Sequence, residues 1–158
     1  MTKEAKQQFT LRITQANPTE MIVILYDMTL MFIKETREAD SAEDVMACKE
    51  GIRKIRACIN ELIQSLHLEY EIAGNLYKLY MFCIRRLAYA EVRKAAQVLD
   101  EVETVIVQLR DAYAQIASQN TAAPVMSNTE TVYTGLTYGK GALTKDMTNQ
   151  STNRGMLV

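Results

Sequence analysis

The sequence has no tryptophan, one histidine, two prolines, six glycines and three cysteines. Scarce glycine and proline remove the punctuation that a turn-rich β fold needs, and point to helices. Cys48, Cys58 and Cys83 are odd in number and lack Cys-x-x-Cys spacing, which excludes a disulfide framework and a zinc knuckle. Cys48 and Cys83 fall on apolar stripes and read as small buried hydrophobes. The lone His67 has Gln64 three residues before it, so the Glu-x-x-His pairs of bundle metal sites are missing. No Gly-rich phosphate loop and no Gly-x-Ser-x-Gly elbow occurs. No enzyme, metal or cofactor is expected. A formal net charge of −1 supplies no basic field for nucleic acid. The longest apolar run, residues 21–26, is too short to span a bilayer, and the polar first eight residues lack a signal-peptide core. A protein of the bacterial cytosol, without membrane insertion, is the expectation.

What is present is apolar content, 48% of 158 residues, arranged with helical periodicity. The composition and patterning predict an all-α fold: an antiparallel up-down-up-down four-helix bundle over residues 17–117. A short N-terminal arm (1–16) precedes it and a polar, largely disordered tail (118–158) follows. Asn17-Pro18-Thr19-Glu20 is a helix start with a capping box and proline at the first position, opening a helix to about residue 39. Ser41 is the expected cap of a second helix, running to about residue 66, with the stripe Val45, Cys48, Ile52, Ile55, Ile59, Leu62 and Leu66. A third helix begins near Ile72 with Leu76, Leu79, Cys83, Leu87 and Ala90. A fourth carries Ala95, Val98, Val102, Val105, Leu109, Tyr113 and Ile116. The stripe slips by one position between these two, which predicts a tight turn at residues 91–93. The polar tail still holds Val132, Tyr133, Leu136, Tyr138, Leu143 and Met147.

The first and third helices carry more apolar residues than one buried face needs. Beside the first helix's expected core stripe of Met21, Ile24, Leu25, Met28, Met31 and Phe32 runs a second: Ile22, Tyr26, Leu30 and Ile33. The third helix adds Tyr77, Met81, Ile84 and Ala88 at helical steps. Exposed apolar stripes of this kind mark partner sites, and Met and Tyr suit adaptable contact. These eight residues are the candidate client-binding surface. Partner binding and self-association both fit such stripes. A histidine phosphotransfer bundle is a further alternative, but His67 lies at a helix end instead of mid-helix. Asp100 and Glu103 share one face of the fourth helix and read as a solvated charged face, not a catalytic pair.

Three ordered blocks carry a resemblance. Ala16-Asn17-Pro18-Thr19-Glu20-Met21 with Leu25-Tyr26-Asp27 is similar to the opening of the FliS family of flagellar export chaperones. Leu68-Glu69, the run from Ile72 to Tyr80, Arg85-Arg86-Leu87 and Ala90 resemble that family's most specific stretch. Glu101-Val102-Glu103 with Leu109-Arg110-Asp111-Ala112-Tyr113 resembles its closing helix. The resemblance implies a four-helix bundle that holds the disordered C-terminal segment of flagellin, prevents its early polymerisation and delivers it to the export gate. The sequence departs from the family in three places. His67 stands where Asp or Asn is usual, Phe9 is the nearest aromatic in an arm that usually has tyrosine, and the tail is longer than the family core.

Overall fold

The computed structural model of the chain describes residues 1–90 and 95–120. Every regular element among them is an α-helix: α1 (Lys3–Gln15), α2 (Pro18–Ser41), α3 (Val45–Gln64), α4 (Glu71–Ala90) and α5 (Ala95–Gln119). The expected turn at residues 91–93 and the tail from residue 121 onward lie outside the described residues.

The helix ends follow from local chemistry. Asn17 Oδ1 accepts from the Glu20 backbone N–H at 2.9 Å, and Glu20 Oε2 accepts from the Asn17 N–H at 2.9 Å, completing the capping box. The second helix starts later than its serine suggested. Ser41 still belongs to α2, and its hydroxyl donates back to the Arg37 carbonyl at 2.9 Å. The reversal comes at Glu43, whose φ of 55° is left-handed, and Asp44 caps α3 by accepting from Ala47 N–H at 2.9 Å. The N-terminal arm is the element that sequence periodicity did not predict. Thr2 caps it, and Ala5, Phe9 and Ile13 lie half-buried along one side at four-residue spacing.

Side-chain pairs set the helix register. Asn17 meets Asn120, Asp27 meets Arg110 and Arg37 meets Asp100, so advancing along α2 means retreating along α5. Gly51 lies against Thr36, and Lys54 sits 5.7 Å from the Phe32 ring centre, which runs α3 back along α2. Arg86 grips Glu101 with two hydrogen bonds at 2.5 and 2.8 Å, joining the end of α4 to the start of α5. α4 also packs on α3. The N-terminus pairs with Glu35 and Arg12 pairs with Asp27 at 2.6 Å, laying α1 back along α2.

The core contains the expected α3 stripe from Cys48 to Leu62, together with Cys83 and Leu87 of α4 and Val98, Leu99, Val102 and Ile106 of α5. All three cysteines are buried and unpaired. Burial pushes the Cys83 thiol up to about 11. The ends of two expected stripes are outside this core. Val45 and Ile116 are exposed because each lies within the outermost turns of its helix, beyond the neighbouring helices' cover.

Candidate binding surface

The two candidate stripes fare differently. On α4, Tyr77 and Ala88 are exposed, while Met81 and Ile84 are half-buried. Their spacing keeps them on one flank of the helix. The facing flank was not anticipated. Leu79 was expected in the core but is 39% exposed, and Phe82 and Tyr89 lie beside it. Arg86 belongs to this second flank and bonds Glu101, so the flank faces α5. Tyr80 takes the core place assigned to Leu79 and is 1% exposed. Leu76, Cys83, Leu87 and Ala90 are buried as expected, so the helix phase is unchanged and only the step after Leu76 differs, four residues instead of three.

On α2, the exposed-stripe reading is overturned at two positions. Tyr26 and Ile33 are fully buried, whereas Ile22 and Leu30 are half-buried and packed against the core. The reason lies in Thr29 and Thr36. Both are buried, and each hydroxyl donates to the carbonyl four residues before it, Leu25 at 2.7 Å and Phe32 at 2.6 Å. With their polar groups satisfied internally, these threonines fill the sector between the two apolar stripes. α2 therefore has one broad buried face, which meets α3 and α5 together. Of the expected core stripe, Ile24 and Phe32 are buried, while Met21, Leu25, Met28 and Met31 are only partly buried.

Tyr26 still bears on the surface from beneath. Its hydroxyl lies 2.5 Å from that of Tyr80, and its ring centre lies 5.7 Å from that of Tyr113. Burial pushes all three phenols upward, Tyr80 to about 12. The three stay neutral in ordinary buffers. Tyr80 and Tyr113 line an open cleft of about 640 Å³ at the end of the molecule where α2 begins, α3 ends and α4 begins. Ile22, Leu25, Leu66 and Leu76 supply apolar wall, and Tyr70 and Ile72 form an exposed rim at 63% and 66%. The loop residue His67 also lines the cleft, with Nδ1 3.3 Å from Glu69. Ile22 is the one α2 candidate in this cleft.

Charged pairs along the edges tie helix to helix. Arg37 bridges Asp100 and Glu103, each at 2.6 Å, so the acidic pair of α5 is a clamp on α2. Among the described residues, no group of three or more His, Cys, Asp or Glu is placed to hold a metal ion. No helix among them is long and apolar enough to cross a membrane.

The family model described as "Flagellar protein FliS" matches residues 1–120. The chain belongs to the FliS family. The matched span includes all five helices and ends where the described structure ends. The chain is 34% identical over 108 residues to the flagellar secretion chaperone FliS of Salmonella typhimurium, covering 66% of this chain and 80% of that protein. It is 29% identical over 103 residues to the namesake from Bacillus subtilis, covering 65% and 77%. Flagellar secretion chaperone FliSB of Pseudomonas aeruginosa is 29% identical over 108 residues, covering 67% and 86%.

Proposed function

We propose that the chain is a cytosolic flagellar export chaperone whose helices α2–α5 form an up-down-up-down four-helix bundle. It holds the disordered C-terminal segment of flagellin, keeps that segment from polymerising early and brings it to the export gate. The observation that carries this reading, beside family membership, is the apolar exterior of α4. Tyr77 and Ala88 on one flank, and Leu79, Phe82 and Tyr89 on the other, are exposed on a helix whose third face already fills the core. A single amphipathic client wrapping α4 would cover both flanks.

The binding residues proposed are Tyr77, Met81, Ile84 and Ala88 on α4, with Ile22 and Leu30 contributing from α2. Tyr26 and Ile33 act only as support from the core. The chaperone works by occupancy and performs no reaction. Covering the client's apolar faces blocks their assembly, and release is left to the export machinery. Ordering a disordered segment costs roughly 2–5 kcal/mol, so a long interface is needed for useful affinity.

Isothermal titration tests this directly. Flagellin should bind one-to-one, and flagellin without its C-terminal region should give no heat. Tyr77→Asp should weaken binding about tenfold or more while leaving the helical signal intact. Full affinity for the shortened flagellin would overturn the reading. Self-association instead of a one-to-one complex would favour a dimerisation module.

A further inference from the structure

The family match ends at residue 120, but the sequence continues to residue 158. We propose that this extension is an internal ligand: residues 132–147 of the same chain occupy the apolar cleft between the start of α2 and the start of α4.

Three observations converge on that occupant. The first is where the extension leaves the bundle. Asn120 Nδ2 donates to Thr19 Oγ1 at 2.7 Å, and the Asn120 carbonyl accepts from Asn17 Nδ2 at 3.5 Å. Thr19 and its neighbour Pro18 line the cleft, so the extension departs from the cleft's own rim. The second is reach. Residues 121–131 separate the anchor from Val132, and at about 3.5 Å per extended residue they span roughly 40 Å, well over the width of a small bundle. The third is pattern. Val132, Leu136, Leu143 and Met147 follow at steps of four, seven and four, which places them on one face at helical periodicity. Thr and Gly fill six of the twelve positions between them, and Lys140, Lys145 and Asp146 three more. A linker alone has no need of that arrangement.

The cleft fits such a segment. Its walls are mainly apolar, and its rim at Tyr70 and Ile72 stays open to solvent. A volume of about 640 Å³ takes a few side chains, not a globular partner. Tethering supplies what a short apolar face lacks in affinity, because an attached segment is present at an effective concentration of order millimolar. A free second copy of the chain has no such advantage at micromolar concentration.

The test compares full-length chains by methyl and amide NMR at two protein concentrations. The triple variant Leu136→Asp/Leu143→Asp/Met147→Asp should shift the resonances of Ile22, Leu66, Ile72 and Leu76 and leave α3 core signals such as Ile55 in place. Ile72→Asp, at an exposed rim position, should reciprocally shift the signals of residues 132–147. A synthetic peptide of residues 128–150 added to the triple variant should return the cleft resonances toward their wild-type positions. Identical cleft resonances in wild type and triple variant would overturn the proposal. Shifts that grow with protein concentration would also overturn it, in favour of a second copy. All these readouts are made without flagellin, so they stand or fall apart from the proposed chaperone function. One additional arm rests on that function: if the client uses the same cleft, the triple variant binds flagellin several-fold more tightly.

Discussion

Tyr26 and Tyr80 put two hydroxyls 2.5 Å apart inside the core. Each is the other's partner, and a buried hydroxyl without a partner costs about 1–3 kcal/mol. Tyr26→Phe or Tyr80→Phe alone should therefore destabilise by about that amount, while the double variant should lose less than the sum. Urea unfolding of the four proteins measures the coupling, and strict additivity would contradict a direct bond. The same pair gives a pH dependence. Burial raises both phenols in the folded state, Tyr80 from 10.0 to about 12, so the unfolded chain ionises first as pH rises. Their contribution is whole below pH 10 and is lost progressively through about 12. Cys83 adds to this from below, since its thiol moves from 9.0 to about 11. Denaturation midpoints should fall across this alkaline window. The fall should be shallower in Tyr26→Phe/Tyr80→Phe.

Among the elements, the α2–α3 contact is the tightest. A β-carbon added at Gly51 would lie 2.0 Å from Thr36 Oγ1 and 2.9 Å from Thr36 Cβ. Alanine favours a helix over glycine by about 1 kcal/mol, yet Gly51→Ala should destabilise by roughly 1–3 kcal/mol because the helices must part. Adding Thr36→Ala removes the hydroxyl clash but keeps the 2.9 Å contact, so thermal melts should show partial recovery. α1 is the opposite case: no residue within it is buried, and half-exposed ion pairs help hold it. Removing residues 1–15 should lower stability by no more than about 2 kcal/mol in the same melts. Legibility divides along this line. The Asn17 capping box and the α3 stripe from Cys48 to Leu62 are local signals and could be read directly. The start of α3 was misread because Ser41 and Asp44 are both good caps, and only the backbone at Glu43 selects between them. The α2 stripes were split because Thr29 and Thr36 look polar until their hydroxyls turn back to the helix. The exchange of Leu79 for Tyr80 depended on a hydroxyl partner 54 residues away, which no window on the sequence contains. The Arg37 clamp on Asp100 and Glu103 was hidden for the same reason.

For the whole molecule, the proposed surface and the core should respond oppositely to charge. Met81→Asp should weaken flagellin binding with a small change in melting temperature, whereas Ile55→Asp should unfold the protein, since it buries an unpaired charge where the side chain is 0% exposed. Paired titrations and circular dichroism separate the two; equal loss of structure in both would assign Met81 to the core. The pairing of α2 with α5 carries a consequence for how the protein is made. Its bonds join residues 63 to 103 positions apart, α2 and its cap to α5 and its end. α2 can fold onto α3 as soon as both have left the ribosome, but the flank meant for α5 has no cover until synthesis has passed residue 120. During that interval the side of Tyr26 that packs on Tyr113 is left uncovered in the nascent chain. A protein proposed to shield another's unfinished helices thus passes through the same exposed condition itself, and it ends only when α5 arrives.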